Sequence, residues 1–422
     1  MSAHTILLII ITIIALDFLL EQILDYINLK HQKSEVPDEM KGYYDEDKYC
    51  KSQKYLGVQT RFSFVTSAFS FVLALVMLVG GVFGMLDEWL RNTTLPSFLG
   101  GNDLSDPVVL ALIFFGILYF ASDILNMPFQ VYHTFVIEEK FGFNKTTVKT
   151  FILDKLKGYF LTILIGGVIL SVLFYLITRL GEGFWLYFWI VITVFLFFVN
   201  MFYTTLIVPL FNKLTPLESG ELREAIENYS KQAKFSLRNI FVIDGSKRSS
   251  KSNAYFSGIG KKKKIIFFDT LINNHTTEEL VAVLAHEVGH YKKKHIVTGF
   301  ILSTIQVGIM LFILSFFVFN STLSGALGAK EMGVHLNLLA FGLLYTPISK
   351  LTGLFMNLIS RKNEFEADKY AAQTYNASAL QDALKKLSVD NLSNLTPHPA
   401  YVFFHYSHPP LLKRLEALNL HL

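Results

Sequence analysis

Seven apolar stretches, residues 5–24, 62–86, 107–129, 158–178, 184–211, 296–319 and 334–359, approach or exceed the roughly 20 residues needed to cross about 30 Å of hydrocarbon. With 52% hydrophobic, 14% aromatic and only 17% charged residues, the chain is too apolar for a set of soluble domains of this length. An α-helical integral membrane protein with seven transmembrane helices is expected. The first stretch reads as a retained span, because no Lys or Arg precedes it and no small-residue cleavage site closes it.

The connections differ in basic residues. Residues 30–61 carry seven Lys and Arg, residues 140–157 and the segment after 211 are basic, and the tail opens with Arg361-Lys362. The opposite loops hold little beyond Arg91, Arg179 and Lys330. The positive-inside rule then puts the N-terminus outside or in a lumen and the C-terminus in the cytoplasm, as an odd number of spans requires. Asp17, Glu21 and Asp123 lie in or beside apolar spans, where a carboxylate needs a hydrated cavity or a partner. A net charge of +4, from 38 Lys and Arg against 34 Asp and Glu, argues against a nucleic-acid partner. A single cysteine, Cys50, excludes an internal disulfide and any multi-thiolate metal site.

The expected organisation is five spans in residues 1–211, a soluble insertion at 212–295, two further spans at 296–359 and a soluble tail at 360–422, with insertion and tail both cytoplasmic. Within the insertion, residues 221–232 read as helix and residues 239–243 and 264–268 as strands, giving a small α+β unit. The lysine run 261–264 reads as a solvated hairpin turn.

After Thr276-Thr277-Glu278-Glu279, which has the form of a helix capping box, the sequence runs Leu280-Val281-Ala282-Val283-Leu284-Ala285-His286-Glu287-Val288-Gly289-His290. His286 and His290 are four apart, so both imidazoles leave one face of a helix and can bind one metal ion. Glu287 is turned about 100° from His286, beside the ligands, where it can act as general base. Chance supplies this H-E-x-x-H pattern in only about one such chain in a hundred.

A catalytic zinc usually takes three protein ligands. The metzincin pattern would need Gly at 293 and His at 296, but Lys293 and Ile296 stand there. His295 is possible by proximity, although it sits near the mouth of the sixth span. The better candidates are Glu364 and Asp368, an i, i+4 pair on one helical face, with Glu366 pointing about 160° away. One of the two carboxylates can ligate while the other accepts the second ring N–H of a ligating histidine.

These segments, together with three others, resemble the type I CAAX prenyl proteases, integral-membrane zinc metalloproteases. The others are His133-Thr134-Phe135-Val136-Ile137-Glu138-Glu139-Lys140-Phe141-Gly142-Phe143-Asn144, then Gly245-Ser246-Lys247-Arg248-Ser249-Ser250 with Ser252-Asn253-Ala254-Tyr255-Phe256, and His405-Tyr406-Ser407-His408-Pro409-Pro410-Leu411-Leu412-Lys413-Arg414. The resemblance implies seven spans around a water-filled chamber, roofed by a cytosolic-side, gluzincin-like metalloprotease domain. It implies removal of the last three residues of prenylated Cys-aliphatic-aliphatic-X tails, with a second, N-terminal cut in some fungal members. It further implies one zinc ion held by His286, His290 and Glu364, with Asp368 behind a ligand, and Glu287 as base. His408 and Arg414 would face the substrate and developing oxyanion, and Asn253 and Ala254 would offer it backbone. The implied location is the endoplasmic reticulum membrane in a eukaryote or the inner membrane in a bacterium, with lipid as a second partner.

Some of this follows from the residues themselves. Asn253 to Phe256 reads as a sheet edge to which an extended peptide can add, and a donor such as His408 suits negative charge on a scissile carbonyl oxygen. Two other readings share the same motifs. One is a membrane quality-control protease with unprenylated substrates. The other is a transporter or receptor with a structural zinc site, for which Glu287 would be superfluous.

Overall fold

The computed structural model describes residues 1–93, 104, 106–235, 239–258 and 263–421. Among these, six helical segments are long and apolar enough to cross a membrane: Ala3–Lys30, Glu46–Val79, Pro107–Glu138, Val148–Phe211, His295–Ser315 and Val334–Thr374. Only 6% to 17% of the most apolar window of each is buried against protein, so their hydrocarbon side chains face outward as lipid-solvated helices do. The seven expected stretches map onto these six because Val148–Phe211 contains two of them. It breaks at Gly181, whose φ of +57° and ψ of −139° suit a residue without Cβ, and a 3₁₀ turn spans Gly181–Gly183. Leu173 and Ile177 before that turn share a core cluster with Phe184 and Phe188 after it.

Several span ends carry the expected local chemistry. Asp45 accepts from Lys48 N–H at 2.7 Å, and Asp106 caps the helix that opens with Pro107. The helix Pro107–Tyr132 contains Pro128 and widens into a π-helical turn, His133–Glu138. The carboxylates noted in the apolar spans have partners. Asp17 and Glu21 both reach Lys350 at 2.5 Å, Glu21 also faces His405 at 3.2 Å, and Asp123 pairs with Lys155 at 2.6 Å. They thus bond across helices, as intramembrane charges generally do.

The soluble insertion forms a four-stranded sheet in the order β1-β2-β4-β3: β1 Leu214–Pro216, β2 Ile240–Ile243, β3 Ala254–Ser257 and β4 Lys264–Phe268. β2 and β4 are parallel; β1 and β3 flank them antiparallel. The helix Glu221–Gln232 lies where periodicity predicts it. Strand β1 escapes the sequence reading because three residues ending in proline carry no alternation, and such a segment is tolerated only at an edge. Of the lysine run read as a hairpin turn, residues 261 and 262 lie outside the described residues.

The last long helix differs from the expected plan in a way that matters for the site. Hydropathy falls off at residue 359, but the backbone continues as one helix, Val334–Thr374, so the expected boundary at 359/360 falls inside it. Residues 360–374 are mostly good helix formers without Pro or Gly, and nothing local stops the turn-by-turn hydrogen bonding. Glu364 and Asp368 therefore stand on a rigid extension of a membrane helix.

Candidate active site

The helix Thr277–Lys292 carries the H-E-x-x-H residues, and its capping box is present as read: Thr276 accepts from Glu279 N–H, and the Glu279 side chain accepts from Thr276 N–H. Glu279 also takes Lys386 at 2.7 Å, tying the helix start to the helix Ala377–Asp390. Leu280, Val281, Leu284, Ala285 and Val288 bury the opposite face against Ile226, Phe267 and Ala371. The two site helices touch at Gly289. A Cβ there would meet Ala367 Cα at 3.0 Å and its carbonyl oxygen at 3.1 Å, so glycine permits the approach that brings Glu364 to the histidines.

That approach assembles a donor cluster from His286, His290 and Glu364. His286 Nε2 is 3.1 Å from His290 Nε2, while Glu364 places Oε1 3.2 Å from His290 Nε2 and Oε2 3.5 Å from His286 Nε2. Ligands held tetrahedrally at about 2.0–2.1 Å from a zinc ion stand roughly 3.3 Å from one another, so the three donors fit a small divalent metal without rearrangement.

The far sides of both imidazoles are also engaged. Asp368 Oδ1 accepts from Nδ1 of His286 at 2.8 Å, which leaves the Nε2 lone pair free for a metal. His290 Nδ1 lies 3.0 Å from His295 Nδ1, and His295 Nε2 lies 3.3 Å from Glu366 Oε2. With Glu366 taking the proton of His295 Nε2, His295 Nδ1 can accept from His290, and His290 also keeps Nε2 free. Thus His295 and Glu366 are brought to the site as supports behind a histidine rather than among the three donors.

Asp368 is itself gripped. Arg414, from the helix Leu411–Asn419, donates Nε to Oδ2 at 2.8 Å and Nη2 to Oδ1 at 2.6 Å, and its Nη1 lies 3.6 Å from Glu364 Oε2. Arg414 is buried and its fork is spent on these carboxylates, so it faces a substrate only through what is left of its edge. Burial opposes its charge, but Asp368 and Glu364 outweigh that and hold the guanidinium firmly protonated. His408 is exposed, with Nε2 3.5 Å from Glu364 Oε1 and Nδ1 bonded to Ser407 Oγ at 3.0 Å.

His286, His290, Glu364, His408 and Arg414 line a cleft of ≈ 400 Å³, together with Glu287, Asn253 and Ala254. Burial raises the Glu287 carboxyl above its ordinary value of 4.5, against the pull of the two histidines. Among the described residues, strand β3 is the sheet edge beside this cleft, paired only with β4. The Asn253 carbonyl already accepts from Phe268 N–H at 3.1 Å. By the alternation of an antiparallel ladder, the backbone groups that point away from β4 are those of Ala254 and Phe256. The residues that sequence reasoning left without a role are Tyr55, Glu138 and Lys251, which meet at the junction between sheet and membrane helices. Glu138 and Lys251 carried a signal through membership of, or proximity to, the motifs at 133–144 and 245–256, whereas Tyr55, 83 residues from Glu138, carried none.

A multi-pass membrane chain in which an H-E-x-x-H helix meets a glutamate from the extension of a long membrane helix on one cleft is an integral-membrane metalloprotease by class. Comparison with known proteins narrows this. A family model described as CAAX prenyl protease N-terminal, five membrane helices, matches residues 25–213, and one described as Peptidase family M48 matches residues 216–421. The chain is 36% identical to CAAX prenyl protease 1 of Saccharomyces cerevisiae over 413 residues, covering 92% of this chain and 90% of that protein. It is 37% identical to the CAAX prenyl protease 1 homolog of Arabidopsis thaliana over 390 residues, covering 91% and 90%. The crystal structure of S. mikatae Ste24p superposes with a TM-score of 0.91 at 34% identity, over 98% of this chain and 99% of that one. The chain belongs to the CAAX prenyl protease family of M48 metallopeptidases.

Proposed function

We propose that this protein removes the last three residues of prenylated Cys-aliphatic-aliphatic-X tails, using one zinc ion held by His286, His290 and Glu364. The observation that carries the reading is the convergence of these three donors on the cleft bordered by the edge strand β3. The names of the relatives, CAAX prenyl proteases, supply the substrate class.

When bound, zinc supplies Lewis acidity toward the scissile carbonyl and makes water acidic enough to be deprotonated near neutral pH. The chain's own residues do the rest. An extended tail adds to β3, where Ala254 presents a carbonyl not used by β4 and an N–H that donates to Asn253 Oδ1 at 2.8 Å and would yield to the peptide. Glu287 takes the proton of the attacking water and passes it to the leaving amine; its raised affinity for protons suits both steps. His408 faces the cluster from the tail and donates to the carbonyl oxygen as charge develops there. Arg414 and Asp368 hold His286 in the tautomer that leaves Nε2 free.

In this reading residues 1–211 and 296–359 build the membrane spans around a chamber for the prenyl chain. Residues 212–295 and 360–422 roof it from the cytoplasmic side, at the endoplasmic reticulum of a eukaryote or the inner membrane of a bacterium. The test is cleavage of matched C-terminal peptides that differ only in a farnesyl group, with and without chelation and zinc replacement. Farnesyl-dependent, zinc-restored release of a tripeptide is expected. Equal cleavage of the unprenylated peptide would favour a quality-control protease, and chelator-insensitive cleavage would remove the metal from the mechanism.

A further inference from the structure

The motif at residues 133–144 and the stretch 245–251 have no part in the chemistry above, yet they meet each other. Glu138, in the π-helical turn that ends a membrane span, bonds Lys251 Nζ through Oε2 at 2.9 Å. Its other oxygen accepts from Tyr55 OH at 2.5 Å and from Gln59 Nε2 at 3.0 Å, and Lys251 also donates to Tyr55 OH at 2.9 Å. The ammonium lies 4.4 Å from the centroid of the Phe143 ring. Backbone bonds run alongside: Ser250 N–H to Phe143 O and Lys145 N–H to Arg248 O, each 3.0 Å.

From this clasp the chain leads without slack to the edge strand. Lys251 O accepts from Thr270 Oγ1 at 3.0 Å, Ser252 exchanges bonds with the Asn391 side chain at 3.1 and 3.2 Å, Asn253 O is held by Phe268, and Ala254 opens β3. An edge strand has a neighbour on one side only, so its position relative to the donor cluster depends on what anchors its ends. We infer that Glu138 is a positioning residue for substrate: through Lys251 it fixes where Ala254 meets the peptide over the His286, His290 and Glu364 cluster. This rests on the reading that the peptide docks on β3. A side chain in the membrane helices thereby tunes peptide binding at a site on the soluble part of the chain.

The experiment is steady-state cleavage of a farnesylated C-terminal peptide by the purified full-length protein, with metal content measured on each sample. Glu138→Gln keeps the shape but loses the charge. It is expected to raise KM about tenfold, less than the roughly hundredfold that a 1 Å misplacement can cost, with kcat within about twofold and metal content unchanged. The reversed pair Glu138→Lys with Lys251→Glu is expected to recover KM. Tyr55→Phe, a milder change, gives the same split at smaller size if Glu138→Gln does not accumulate folded. An unchanged KM, or a joint fall of kcat and metal content, would overturn the inference.

Ala254→Pro separates the two ideas. It removes the outward N–H, which donates to Asn253 Oδ1 at 2.8 Å before a peptide displaces that side chain, without touching the β4 ladder. If it leaves KM unchanged, docking on β3 is wrong whatever Glu138 does. If it raises KM while Glu138→Gln does not, only the clasp is refuted.

Discussion

His295 Nδ1 lies 3.0 Å from His290 Nδ1, on the side of the ring turned away from the metal-donor cluster. The relationship, completed by Glu366 at 3.3 Å, mirrors what Asp368 does for His286. Each histidine is steered to leave Nε2 free, by a carboxylate directly in one case and through a second histidine in the other. Replacing His295 by Phe keeps the ring volume and removes the acceptor. Metal affinity is expected to fall roughly 10- to 100-fold, read by competition with a chromogenic chelator, whereas Gln, which retains an acceptor, retains most of it.

Arg414→Met should behave differently. It leaves Asp368 charged and buried without its fork of donors, a change that costs about 3–5 kcal/mol in comparable buried pairs. Thermal unfolding should move down, and metal affinity should drop with it, because Asp368, no longer clamped by Arg414, holds His286 less rigidly. An unshifted melting temperature would show that the ion pair contributes nothing net to folding.

Glu287→Gln should retain metal and lose turnover by at least about a hundredfold, the lower range for loss of a general base. The pH profile follows from the same burial. Glu287 acts in its deprotonated form; burial raises its carboxyl above 4.5 while a bound divalent ion would pull it back down, so the acid limb of activity is expected to shift in Glu287→Gln. A limb unchanged in that variant would place the base elsewhere.

Topology is open to chemical labelling. Lys330 is exposed and paired with Glu88 at 2.5 Å at one end of the helical bundle, and Lys293 is exposed just past the H-E-x-x-H helix. With Cys50 replaced, a cysteine at 330 is expected to react with an impermeant thiol reagent from the outer or lumenal side, and one at 293 only from the cytoplasm. Labelling of both from one side would reverse the assignment of the cleft to the cytoplasmic face.

The sequence alone determined the class of solvent for each stretch, the helical setting of His286, Glu287 and His290, the cap at Thr276 and the edge at Asn253 to Phe256. Each of these is a local property: hydrophobic run length, 3.6-residue periodicity, or a cap four residues long. It also singled out Glu364 and Asp368, because i, i+4 spacing is local too. Only the tertiary structure decided that Glu364 joins the donor cluster while Asp368 stands behind His286. The two carboxylates are equivalent on their own helix, and what distinguishes them is the crossing at Gly289 and the arrival of Arg414. The same holds for His295, which lies close in sequence to the donors but turns toward Glu366, and for the Glu138 to Lys251 pair, whose partners are 113 residues apart. Such contacts carry no periodicity, since they arise where separate elements are packed together by burial elsewhere in the chain.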